Sequence, residues 1–224
     1  IVVPLYKTDE YLLKSLVDSV LAQTYSNWEL CLSDGSGPDS PIKNLLKEYE
    51  KKDSRIRVVY NEKQLRISDN TNAAIGIATG NYITFSDHDD TLAEEALYQM
   101  AAEIESHPEA ELLYSDEDII DIKGKRLYPH FKPDFNPDYL HCVNYICHLV
   151  VVKRTLLDKV GLLQGEYDGS QDYDFLLRCT EHTQNIRHIP KLLYHWRSHE
   201  GSTAGNPDDK PYAVIAGEKA LAGH

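Results

Sequence analysis

The 224-residue sequence has no uninterrupted apolar run approaching the roughly 18 residues that a membrane-spanning helix needs, and no signal-peptide pattern. Basic residues are scarce: 23 Lys plus Arg stand against 36 Asp plus Glu, a net charge of -13. Nucleic acid and anionic lipid select for a basic face, so neither is expected as the main partner. Only four cysteines occur, Cys31, Cys142, Cys147 and Cys179, and none form a CxxC pair. They sit in or beside apolar runs and read as buried reduced thiols of a cytoplasmic protein. A P-loop, an HExxH pair, His-Cys zinc spacing, internal repeats and low-complexity tracts are all missing. With 42% hydrophobic and 26% charged residues, the composition is that of a folded domain. The chain opens at Ile1, already inside an apolar run, and reads as part of a longer one.

What is present is alternation. Strand-length runs at Ile1 to Leu5, Glu29 to Ser33, Ile56 to Tyr60 and Tyr82 to Ser86 are separated by helical patterns. The first helix has a cap at Thr8 or Asp9 and apolar positions Leu12, Leu13, Leu16, Val17, Val20 and Leu21. Others follow from about Pro41 to Lys51 and from Thr71 to Ala78. Strand and helix repeated this way predict an α/β chain, a parallel sheet with helices on both faces, and such sheets bind ligands at the carboxyl ends of their strands. The second half is less regular. Helices are expected at Leu92 to Ser106, Arg154 to Val160 and Tyr173 to Glu181, and strands at Leu112 to Ser115, Leu149 to Lys153 and Ile186 to Ile189. The irregular stretch from Tyr128 to Tyr145, with three prolines, is where a lid or acceptor platform is expected.

Acid-bearing loops follow three of the predicted strands. Ser86-Asp87-His88-Asp89-Asp90 places carboxylates two residues apart, a pattern that can share a hard divalent cation; the competing reading is an acidic cap before the next helix. An EF-hand is excluded, because Leu92 stands where its glycine must be. Gly35-Ser36-Gly37 hints at a dinucleotide fingerprint, but Ser40 occupies the third glycine position. Gly169-Ser170-Gln171-Asp172 runs into an apolar helix, so Asp172 is either a capping carboxylate or a general base kept ionised by the helix N-terminus. Tyr194 to Thr203 gathers His195, His199, Arg197 and Ser202 in one loop-like segment able to meet phosphate or metal. Asp116, Glu117 and Asp118, at an expected strand end, read equally as solvated acids or as acceptor contacts.

In this order, Val3-Pro4-Leu5-Tyr6, Ser33-Asp34-Gly35-Ser36, Asn70 and Asn72, Asp87-His88-Asp89-Asp90, Tyr114 to Asp118, Gly169 to Asp174 and Tyr194 to Arg197 resemble the inverting glycosyltransferases of family two. More narrowly, the chain is similar to bacterial members that build O-antigen, rhamnan and other surface polysaccharides. The resemblance implies the GT-A fold, a Rossmann-like and mostly parallel sheet. It implies one catalytic domain over residues 1-224, with a nucleotide-binding half (1-92) and an acceptor-binding half (93-224). Pro4 and Tyr6 would line the nucleoside pocket and Asp34 would bind the base, with Asn72 also on the donor. Asp87 would lie near the ribose and diphosphate, and Asp87 and Asp89 would hold Mn2+ or Mg2+. His199, or alternatively His195, would complete the metal site, with Arg197 and Ser202 on the diphosphate. Asp172 would be the catalytic base, flanked by Gln171 on the acceptor side with Asp116, Glu117 and Asp118.

The implied partners are a UDP-, dTDP- or GDP-sugar donor and a glycan or lipid-linked glycan acceptor, met in the cytoplasm or at the inner face of the cell membrane. Ser33 stands where many relatives carry aspartate, Gln171 where many carry glutamate, and Arg66 and Thr71 depart from the usual glycine and arginine. The processive QxxRW signature is absent, which points to a distributive or short-polymer enzyme. Two other functions use related residues: a nucleotide-sugar-binding module without turnover, and a metal-dependent nucleotidyltransferase that would release pyrophosphate.

Overall fold

The structure is a computed structural model and describes residues 1–198 and 211–224. Three strands, β1 (Val2–Leu5), β2 (Leu30–Asp34) and β3 (Ile56–Tyr60), form a parallel sheet in the order β1-β2-β3. Helices α1 (Glu10–Leu21) and α2 (Lys43–Lys52) make the crossovers, and α3 (Ile67–Ile77) leads on to β4 (Tyr82–Thr84). Asp9 caps α1 by accepting the Tyr11 N–H at 2.8 Å, as its position before the apolar stripe predicts. A parallel bridge between Val2 and Phe85 joins this sheet to the next.

The second sheet is mixed. Its path runs β4, β8 (Val150–Lys153), β6 (Leu112–Ile120), β9 (Ile186–Arg197) and β5 (Thr91–Leu92), with β7 (Arg126–His130) paired to β6. β4 to β8 and β8 to β6 are antiparallel steps, and two reversals restore the direction of β4 to β6. β9 is parallel to β6, so the carboxyl ends of β1 to β4, β6 and β9 all lie toward one edge. Helices α4 (Ala96–Ser106), α5 (Pro137–Leu140), α6 (Arg154–Val160), α7 (Gln171–His182) and α8 (Pro211–Gly223) complete the described residues.

Period-two alternation along the strands divides the core in two. Val3, Leu5, Leu30, Leu32, Leu113 and Val151 face one cluster with buried residues of α1, α2 and α4. Val2, Cys31, Leu112, Tyr114, Val150 and Val152 face the other, with those of α3, α6 and α7. Both faces are covered, which is why these strands are nearly all apolar instead of alternating apolar with polar.

Three expectations are corrected here. β6 does not stop at Ser115 but runs on through Asp116, Glu117 and Asp118, and β9 extends to Arg197, so Tyr194 to Arg197 lie in a strand and not a loop. The two extensions pair with each other, with register shifts around Asp116, and a pattern of local hydrophobicity cannot show a polar strand held by its neighbour. The acids at 87–90 are not a helix cap, because β5 intervenes and α4 begins only at Ala96. Of the four cysteines, Cys31 and Cys179 are buried, Cys147 is partly buried and Cys142 is exposed.

Candidate active site

The loops at the carboxyl edge are knitted together by short side chains. Asn70 of α3 is buried and donates from Nδ2 to the Leu5 carbonyl at 2.9 Å, and a Cβ on Gly35 would meet that same nitrogen at 2.6 Å. Glycine is thus required for the β2 loop to pass α3 this closely. The Lys7 N–H donates to Ser36 Oγ at 2.9 Å, tying the β1 loop to the β2 loop. Asp34, buried at the end of β2, accepts the Ser36 N–H at 3.1 Å and borders a cavity of about 180 Å3 with Gly37, Pro38, Lys43, Tyr60, Asn61 and Glu62. Pro4 is buried inside β1 opposite Ser33, behind this pocket, while Tyr6 is 42% exposed and donates to Gln64 at 3.3 Å. A larger cavity of about 750 Å3 opens among Ile1, Glu29 and Tyr82 at the strand starts, away from these loops.

The 87–90 acids form the centre of the edge. Asp87, Asp90 and His148 present potential ligand atoms within 4.8 Å of one another. Asp90 is 0% exposed and both its oxygens are engaged, by the Tyr194 hydroxyl at 2.5 Å and the Arg197 N–H at 2.7 Å. The Tyr194 hydroxyl in turn accepts the Asp87 N–H at 3.1 Å, and His148 stacks on the Tyr194 ring with centroids 4.7 Å apart. Desolvation, then Asp89 and Asp172, raise the pKa of Asp87 above the ordinary carboxylate range, with His148 opposing; desolvation, Asp89 and Asp87 raise that of Asp90. Crowded carboxylates with hard oxygen donors beside an imidazole suit a divalent cation such as Mg2+ or Mn2+, whose charge would relieve the mutual repulsion.

Asp172 lies in the first turn of α7, where the helix dipole favours its charge. Its Oδ2 accepts from Asn144 Nδ2 at 2.9 Å and lies 3.8 Å from Cys147 Sγ. Cys147 is followed by His148, whose Nε2 lies 4.0 Å from Asp87 Oδ2, so the 147–148 segment stands between Asp172 and the acidic loop. Gln171 bends back to accept the Gly169 N–H at 2.8 Å, so it closes the turn before α7 in place of the expected acceptor contact.

Several expected ligand contacts are occupied within the protein. Asn72 donates to the Leu163 carbonyl at 2.8 Å and accepts its N–H at 3.1 Å, a two-point clamp between α3 and the turn after α6. Asn72→Ala is therefore expected to cost about 1–3 kcal/mol in a denaturant melt, with nucleotide affinity unchanged; weakened nucleotide binding at wild-type stability would restore the donor role. Arg197 is 1% exposed, and its guanidinium donates to the Asp89 carbonyl at 2.6 Å, the Asp121 carbonyl at 3.1 Å and Ser15 Oγ at 2.8 Å. It builds the floor of the acidic loop and is not available to a diphosphate.

His195 gives Nδ1 to Asp118 at 2.6 Å, and Asp118 also pairs with Arg126 at 2.5 Å. Asp116 accepts from His188 at 2.8 Å and from the Lys132 N–H at 2.9 Å. Glu117 meets Lys132 Nζ at 3.1 Å and His130 at 3.2 Å. Burial opposes its charge, yet His130, Lys132 and His148 hold its pKa below the ordinary range. Asp116, Glu117 and Asp118 are thus buried and internally paired, neither solvated nor presented to an acceptor. His199 and Ser202 lie outside the described residues.

The structure adds His148, Asn144 and Lys132, which motif reading missed. Asn144 and His148 are polar interruptions in the apolar run from Val143 into β8, and that was the only local signal. Among the described residues no helix is long and apolar enough to cross a membrane.

Comparison with known proteins agrees with this geometry. The chain is 46% identical over its whole length to uncharacterized protein y4gI of Sinorhizobium fredii, of which it covers 25%, and 36% identical to O-antigen biosynthesis protein RfbC of Myxococcus xanthus, of which it covers 18%. It therefore spans a quarter or less of the length of these curated relatives. The crystal structure of S. aureus TarS residues 1-349 in complex with UDP superposes with a TM-score of 0.74 at 18% identity, over 96% of this chain and 64% of that one, which shows the GT-A fold. Residues 1–161 match the family model described as Glycosyl transferase family 2, and the chain belongs to that family.

Proposed function

We propose that this chain is the catalytic domain of an inverting glycosyltransferase that moves a sugar from a nucleotide-sugar donor to a hydroxyl of a glycan acceptor in bacterial surface polysaccharide synthesis. The observation that carries the reading is the placement of Asp172. It stands at a helix N-terminus with one oxygen anchored by Asn144 and 3.8 Å from Cys147 Sγ, next to His148, whose Nε2 lies 4.0 Å from Asp87 of the acidic loop. A base and an anion-handling centre facing one crevice suit a single in-line displacement. The acceptor oxygen bonds to the anomeric carbon as Asp172 takes its proton, and the bond to the diphosphate breaks with its electron pair leaving on the nucleoside diphosphate. One displacement inverts the anomeric carbon.

Asp87 and Asp89 would hold Mn2+ or Mg2+; Asp90 and His148 are the groups within ligand reach of Asp87, and His148 would take the part expected of His199, which lies outside the described residues, or of His195. When bound, the cation supplies positive charge against the departing diphosphate. Asp34 and the cavity beside it are suited to the nucleoside end of a UDP-, dTDP- or GDP-sugar, and the UDP complex of TarS favours uridine as the first base to try. The likeness to RfbC, an O-antigen biosynthesis protein, supports a cell-surface glycan acceptor; its carriage on lipid at the inner face of the membrane belongs to the proposal alone.

A thermal-shift panel of UDP, dTDP, GDP and their sugars, each with and without manganese, tests donor class and metal together. One nucleotide series is expected to raise the melting temperature only with manganese, by the linkage RT ln(1 + [L]/Kd). Asp89→Ala is expected to abolish that manganese dependence. A panel with no stabilisation by any nucleotide, or Asp89→Ala behaving as wild type, sinks the reading.

A further inference from the structure

The segment between α5 and β8 passes the crevice under restraint from below. Lys132 is 6% exposed, and its Nζ donates to the Ile146 carbonyl at 2.7 Å, to the His148 carbonyl and to Glu117 Oε2 at 3.1 Å. Glu117 Oε2 also accepts the His148 N–H at 3.3 Å. One buried ion pair thus grips the backbone on both sides of Cys147, which sits at φ 26°, a conformation that non-glycine residues hold only when their surroundings impose it. Within the gripped segment, Asn144 Oδ1 accepts the Cys147 N–H at 3.4 Å while its Nδ2 donates to Asp172 Oδ2. The asparagine is oriented from one end and aimed from the other.

We propose that Asn144 is a positioning residue for Asp172, and that the buried Lys132–Glu117 pair sets its position by clamping the 146–148 backbone. This rests on Asp172 being the base. Among the described residues, the hydrogen bonds to Asp172 fall on Oδ2, from Asn144 and Cys147. Anchoring Oδ2 fixes the carboxylate plane and turns Oδ1 to the acceptor proton. A base free to rotate about its side-chain torsions would reach that geometry in a small fraction of encounters. Because Asn144 neither lines the Asp34 pocket nor belongs to the Asp87, Asp90 and His148 cluster, its loss should slow turnover and leave donor binding as it was.

The test uses the full chain and the sugar nucleotide that gives the largest melting shift in the panel, following release of nucleoside diphosphate. Asn144→Ala is expected to lower kcat about 10- to 100-fold, the scale of a misplaced catalytic group, with donor KM unchanged. Lys132→Met alone leaves Glu117 buried and unpaired and can fail to fold. The clamp arm is therefore the double variant Lys132→Met with Glu117→Gln, which removes both charges and keeps an acceptor for the His148 N–H. Its expected signature is the same loss in kcat; donor KM is read on Asn144→Ala, because the clamp also holds the backbone of His148. The proposal is overturned if Asn144→Ala keeps kcat within about twofold of wild type, or if donor KM rises as kcat falls. Asp172→Asn is run in parallel: if it is inactive while Asn144→Ala is not impaired, only the positioning role fails, and if it is active, the assignment of the base fails.

Discussion

Asp172→Asn is expected to cut transfer by about 10²- to 10⁴-fold, the range that a positioned general base contributes, while the manganese-dependent melting shift with the donor nucleotide stays at its wild-type size. The substitution is nearly isosteric and keeps an oxygen for the Asn144 amide, so the crevice keeps its shape. What it removes is the ability to take a proton. Asp172, in the first turn of α7, neither lines the Asp34 cavity nor belongs to the Asp87, Asp90 and His148 cluster, which is why binding and turnover should separate. Steady-state rates and thermal shifts on the same preparation check both halves. Near-wild-type turnover would remove Asp172 from the mechanism, and lost nucleotide binding would make it a donor contact instead.

Arg197→Met should produce the largest loss of stability among the substitutions considered. The guanidinium is buried and bonded to the Asp89 and Asp121 carbonyls and to Ser15 Oγ, and the Arg197 N–H caps Asp90 Oδ1. Methionine fills much of the volume but leaves those acceptors without their donor, next to the Asp87, Asp89 and Asp90 carboxylates. Removing one partner from a buried charged network costs about 3–5 kcal/mol, which in a chain of this size lowers the melting temperature by roughly 10 °C. The 87–90 loop should loosen with it, so the nucleotide shift with manganese is expected to fall as well. Calorimetric melting with and without nucleotide reads both. A variant that melts normally but loses the nucleotide shift would return Arg197 to the diphosphate.

Those two residues also show where local reading of the chain succeeds. That Asp172 opens a helix was legible because a carboxylate just inside a helix start, after Gly169 and Ser170, is a local pattern with a local physical cause in the dipole. The parallel first half was legible for the same kind of reason: apolar runs alternating with amphipathic stripes allow few arrangements, and β1 to β3 with α1 to α3 formed within a few residues of their expected bounds. Arg197 was misplaced because its surroundings come from Ser15, Asp89 and Asp121, as many as 182 positions away, and no local pattern encodes burial by such distant partners.

The acids of β6 make the sharper contrast. Their sequence, Ser115-Asp116-Glu117-Asp118, reads equally as solvated acids or as acceptor contacts at a strand end. Yet β9 pairs alongside, and Lys132, His188, His195 and Arg126 converge on them, so they sit in the interior as charge partners. The sequence alone determined the fold class, the family resemblance and the candidate base, because each rests on periodicity or on residues close in the chain. Which acids face the crevice and which hold the frame was decided only by tertiary structure. A carboxylate's role depends on the partners brought to it, and strand pairing across 70 or more residues is what brings His188 to Asp116 and His195 to Asp118. The surplus of negative charge is divided the same way: part is neutralised inside the sheet, and part remains at the carboxyl edge, where Asp87 and Asp90 lie beside His148.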